Sequence, residues 1–258
     1  MIKIKKRIQG CRSFVDTTYY CKKHDHCHCH CRYENRPTYS ELRQIPVPVP
    51  EGITNLPAFI YFDVDNRFTA AQRQRIREAI EGVLLNWFNH YNQKWNGGTN
   101  DGVSELAACT NTYAINNLQP VWYQGQPILN GQVATNVAMD QFTQLIRDNG
   151  FRISPPAKID YFIPTPITSS TIRGETAFRK TGVPLSFVIN PTQLDRVDVS
   201  SLVLTGSMFH AWLHRAGYSH PEGEYTSYFI GEAPMCVMRG FQPKVPAQPD
   251  STFFQFFD

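Results

Sequence analysis

No stretch of this chain is apolar for the length that a bilayer crossing needs, which excludes a membrane-spanning helix. Net charge is equally scarce: 25 Lys and Arg stand against 22 Asp and Glu, leaving +3. No basic stripe gathers after residue 43, so nucleic acid is not an expected partner. Residues 1–7 are basic enough to begin a signal peptide, but no apolar core follows them. A cytoplasmic protein with no membrane partner is therefore expected. Charged residues make up 18% of the 258 and hydrophobic ones 41%. Such a chain can bury a substantial core, as one large domain or one domain with an appendage.

What the chain does contain is His210-Ala211-Trp212-Leu213-His214-Arg215-Ala216-Gly217-Tyr218-Ser219-His220. Two histidines four apart share one face of a helix and can hold one metal ion between them. Gly217 lets the backbone leave the helix, so that a third histidine approaches from the far side. Three neutral imidazoles with one position open to water is the ligand set of a catalytic zinc rather than a structural one. In a chain with 8 His and 16 Gly, these offsets arise by chance about 0.0005 times. The bland alternative is a histidine-rich helix end without metal.

The stretch resembles the extended zinc signature of the metzincin metallopeptidases, H-E-x-x-H-x-x-G-x-x-H, at every specified position except the glutamate. The resemblance implies His210, His214 and His220 as ligands of one catalytic Zn²⁺, and Ala211 at the place of the general base. It implies a zinc metalloendopeptidase that cuts a peptide or protein substrate through a zinc-activated water, crippled here because the base is missing. The family also places a methionine in a tight turn beneath the metal. Residues 233–240 offer Met235 and Met238, of which Met238 is preferred. The tyrosine that some members carry two residues later has no counterpart, since Gly240 stands there; Tyr225 and Tyr228 are candidates to approach from the intervening loop. Loss of the base alone, with ligands and glycine retained, favours an engineered or recent change. Two readings compete with it. One is a natural pseudoprotease that binds peptides or proteins in a zinc-stabilised cleft; the other is a metal-binding protein acting through residues 21–31.

Five of the seven cysteines and four of the eight histidines fall within residues 11–31. The dense part holds Cys21, His24, His26, Cys27, His28, Cys29, His30 and Cys31. Thiolates and imidazoles at this density bind metal, a second Zn²⁺ being the natural occupant, although no standard zinc-finger spacing is present. Three uses stay open: a structural zinc knot, a disulfide cluster, or a pro-segment lying in the active-site cleft. In the last case one thiolate fills the open position of the catalytic zinc, the chain is a latent zymogen, and its own N-terminal segment is a partner of the site.

Residues 43–52 alternate proline with valine and are expected to be extended. They set a boundary near residue 50, between a Cys/His-rich segment (1–50) and a catalytic domain (51–258). In the domain the patterning predicts a strand over 57–65 and a long amphipathic helix over 68–93 capped by Thr69. Loops and short strands over 96–131 precede a helix over 132–149, strands over 158–163 and 183–190, and the ligand helix over 199–216. The fold class is α+β. The resemblance implies a mixed twisted sheet backed by helices, and the strand over 183–190 is expected to edge the cleft and pair with substrate backbone. The aromatic stretch 253–257 is expected to pack on the body.

Overall fold

Five strands, β1 (Tyr39–Pro46), β2 (Phe59–Asp65), β3 (Ala157–Tyr161), β4 (Ile172–Arg173) and β5 (Phe187–Ile189), form one sheet in the order β1-β2-β3-β5-β4. The central strands β2, β3 and β5 are parallel, while β1 and β4 run antiparallel to their neighbours at the two edges. Alternation explains β2: Ile60, Phe62 and Val64 point into the core, and the residues between them are partly exposed. The computed structural model describes residues 38–95, 102–163, 172–173 and 184–258, all within the compact unit Pro37–Asp258. The cluster containing Cys21, His24, Cys27, Cys29 and Cys31 lies outside the described residues. A mixed sheet with helices agrees with the α+β class.

Two expectations about strands change. β1 runs into the stretch 43–52 read as a linker, and the body begins ahead of residue 50: Tyr39 pairs with Asp65 and Pro46 with Phe59. An edge strand tolerates this proline because its missing N–H is not needed by a second neighbour. The stretch 183–190 supplies an inner strand rather than an edge. β5 is hydrogen-bonded to β3 on one side and β4 on the other, and Phe187 and Ile189 are fully buried.

The helices are α1 (Ala70–Trp95), α2 (Glu105–Tyr113), α3 (Gly131–Gly150), α4 (Pro191–Leu194), α5 (Ser201–Arg215), α6 (Phe229–Met238) and α7 (Ser251–Phe254). A reciprocal cap starts α1: Thr69 Oγ1 accepts from the Gln72 N–H at 3.2 Å, and Gln72 Oε1 accepts from the Thr69 N–H at 3.0 Å. One stripe of α1 (Ile76, Ile80, Val83, Leu84 and Trp87) is buried, as its spacing predicts. α2 occupies a stretch expected to be loops. Its N-cap is Ser104, and a disulfide from Cys109 to Cys236 ties it to α6.

α5 is the central helix. All its residues from Leu204 to His214 are buried, the mark of a helix enclosed on every side. Trp212 stacks on Phe62 of β2 at 6.5 Å, and Phe142 of α3 meets Trp212 and Phe209 edge-on. α6 seats on α5 at Gly206, where a Cβ would come within 2.4 Å of Met238 Cγ.

Two stability predictions follow from this packing. Replacing Cys109 and Cys236 with serine is expected to lower the unfolding free energy by about 2–5 kcal/mol, read as a lower denaturant midpoint; equal midpoints would mean that the bridge contributes nothing. His90 of α1 is buried with Nδ1 2.7 Å from Ser104 Oγ, and burial pushes its pKa from 6.5 down to about 3. The folded chain therefore binds fewer protons than the unfolded one over that interval, and stability is lost as pH falls from 6.5 towards 3. His90→Gln should flatten this part of the curve of thermal midpoint against pH.

Candidate metal centre

α5 begins at Ser200, whose hydroxyl accepts from the Val203 N–H, and it carries His210 and His214 one turn apart on its buried face. Their ring centroids are 4.8 Å apart. The helix ends where the Gly217 N–H reaches the His214 carbonyl and the Tyr218 N–H reaches the Leu213 carbonyl. That closure needs a left-handed residue, and Gly217 has φ of +96°. A side chain at 217 would also strike Trp122, whose Cδ1 lies 2.6 Å from the site of a Cβ. The reversed chain brings the His220 ring within 5.2 Å of each of the other two. The structure thus joins all three histidines singled out in the sequence.

Hydrogen bonding sets the orientation of each ring. His210 Nδ1 is 2.9 Å from the Ile230 carbonyl, His214 Nδ1 is 3.1 Å from that of Tyr218, and His220 Nδ1 is 2.8 Å from that of Pro221. A carbonyl only accepts, so each Nδ1 carries a proton, and in the neutral ring each Nε2 then presents a lone pair. His210 Nε2 and His214 Nε2 face each other at 3.2 Å, and one ligand atom from each of the three residues lies within 4.8 Å of the others. His220 Nε2 is buried without a hydrogen-bond partner, which costs about 1–3 kcal/mol if nothing satisfies it. A metal ion would satisfy it. Burial pushes His210 down to about 4 and lowers His220 as well, against the opposing contacts from Asp258 and Pro221. Neutral imidazoles anchored by carbonyls at their other nitrogen fit a metal-ligand set.

The remaining candidates divide. Ala211 is fully buried and offers only a methyl group. Met238 does not lie in a tight turn: it is the last residue of α6, and it packs against Gly206, four residues before His210. The preceding run through Met235 is helical too, so the chain has no turn there to form a floor. The apolar surface beside His210 is instead Phe257, whose ring lies parallel to it at 4.3 Å. Tyr225 reaches the site, with its ring 4.7 Å from His220 and its hydroxyl donating to the Asp258 carbonyl. Tyr228 turns away and donates to Glu224.

Sequence reasoning missed Phe257 and Asp258. The aromatic stretch at 253–257 was legible as packing material, but no spacing linked it to α5. No family model, curated protein or solved structure matches the chain. The likeness to metzincins accordingly rests on the residues between His210 and His220.

Loss of either helix ligand should be visible in metal uptake. His210→Ala and His214→Ala are each expected to lower the zinc retained after dialysis by one equivalent, whereas Met238→Leu retains the parent's amount. Equal retention in all four chains would remove the centre from consideration.

Proposed function

We propose that this chain has the scaffold of a zinc metalloendopeptidase, held inactive or nearly so by Ala211. The observation that carries the reading is the convergence of three Nε2 lone pairs, each imposed by a carbonyl on the opposite ring nitrogen. His210, His214 and His220 would hold the zinc. When bound, zinc polarises a carbonyl and lowers the pKa of water. The three backbone carbonyls keep the rings in the ligating tautomer, and Tyr225 borders the centre beside His220. Among the described strands, β4 forms the sheet edge nearest α5 and is the natural place for an extended peptide to add backbone hydrogen bonds. The substrate class is peptide or protein.

Ala211 cannot take up a proton. Removing a general base costs about 100- to 10,000-fold in rate, so the chain as it stands is expected to bind zinc and cleave very little. The complete burial of Ala211 favours a second reading, a pseudoprotease that binds peptides, since a carboxylate there would have to be accommodated inside packed surroundings. No described helix is long and apolar enough to cross a membrane. The Cys109–Cys236 bridge supports an oxidising compartment over the cytoplasm expected from the sequence.

The Ala211→Glu chain decides between these readings. With zinc and a denatured protein substrate, its cleavage rate is expected to exceed that of the parent by at least about 100-fold. The gain should vanish when His214→Ala is added. Absence of cleavage in both a zinc-loaded Ala211→Glu chain and the same chain carrying Asp258→Ala, which removes the carboxylate facing the histidines, would leave the binding module as the better account.

A further inference from the structure

The geometry points to Asp258 as a fourth protein ligand of this centre, closing the coordination position that substrate or water would need. The inference rests on the zinc reading above. Asp258 Oδ1 stands 3.0 Å from His210 Nε2 and 3.5 Å from His214 Nε2, and the two nitrogens are 3.2 Å apart. Ligands at about 2.0–2.1 Å from a tetrahedral zinc are about 3.4 Å from one another. The three atoms therefore mark out one face of such a tetrahedron.

Between the neutral tautomer of His210 and the carboxylate there is no proton for a hydrogen bond. A neutral imidazole has one N–H, and that of His210 is directed at the Ile230 carbonyl. Its Nε2 thus meets the carboxylate oxygen as lone pair against lone pair, 3.0 Å away and deep in the fold. A cation between them turns this repulsion into coordination. It would satisfy the buried Nε2 of His220 as well.

The carboxylate is positioned by contacts along the whole preceding segment. Lys244 Nζ donates to Asp250 at 2.6 Å and to the buried Glu232 of α6 at 2.7 Å. Ser207 of α5 donates to the Phe256 carbonyl at 2.8 Å. Phe257 stacks on the His210 ring, and the Tyr225 hydroxyl donates to the Asp258 carbonyl at 2.8 Å. These anchors belong to α5, α6 and the stretch after His220, the same elements that carry the ligands and the carbonyls orienting them. The sequence suggested a cysteine thiolate for the fourth position; a carboxylate there has the same charge and displaces water in the same way. Peptide hydrolysis at this centre then requires residues 255–258 to withdraw.

Cobalt(II) reports the open position directly. The parent chain, Asp258→Asn and Asp258→Ala are loaded with Co²⁺, and the visible spectrum of a His214→Ala chain is subtracted to isolate this centre. Each is titrated with azide. The parent spectrum is expected to stay unchanged while both variants shift as azide coordinates. Their cobalt affinity is expected to fall by at least the roughly 10- to 100-fold that loss of an outer-shell partner costs. Like responses to azide with like affinities in parent and variants would overturn the role of Asp258 and leave the three-histidine site intact. No His214-dependent cobalt in any chain would overturn the zinc reading and this inference with it.

Discussion

Three hydrogen bonds, from the Nδ1–H groups of His210, His214 and His220 to the carbonyls of Ile230, Tyr218 and Pro221, govern the rest of this structure. They decide that the Nε2 atoms, not the Nδ1 atoms, face one another. Each carbonyl has a different origin. Tyr218 follows the left-handed Gly217 that ends α5, Pro221 follows the third histidine directly, and Ile230 belongs to the first turn of α6. The His210 orientation therefore depends on how α6 lies against α5. That packing in turn depends on the bare backbone of Gly206 and on the covalent tie from Cys236 to α2.

Burial gives the centre its chemistry as well as its rigidity. α5 is surrounded by α1, α6 and the sheet, with Phe142 of α3 against it, so the fully buried His210 lies where charged imidazolium is disfavoured. Burial thus keeps His210 as a neutral donor available to a cation. The same interior holds Glu232, which burial pushes up and which Lys244 and the Ser227 N–H pull back towards ionisation. This ion pair is the footing from which residues 250–258 run back to the histidines.

Local elements were largely legible. The Thr69–Gln72 cap and the Ile76-to-Trp87 stripe mark α1, alternation marks β2, and the offsets from His210 to His220 mark the ligand set. α2 was not legible, because nine residues are too few to display a helical period and it is held by distant contacts: the Cys109 bridge, and Thr110, whose hydroxyl meets that of Thr135 of α3. Nor was the position of β5 inside the sheet, since strand order follows from pairing between distant segments. The place of Met238 at the end of α6 is hidden in the sequence for the same kind of reason. An apolar run with a methionine near its end suits a turn or a helix end alike, and contact with Gly206 selects the helix.

By itself the sequence determined which side chains could share a metal, because helix geometry binds residue i to residue i+4 and a left-handed glycine forces the chain back. Only the tertiary structure decided what surrounds them: Phe257 beside His210 rather than Met238, and the Asp258 carboxylate facing the Nε2 atoms. Contacts between distant segments leave no period in the sequence; they are set when buried surfaces are matched, here α6 against Gly206 and residues 251–258 against α5.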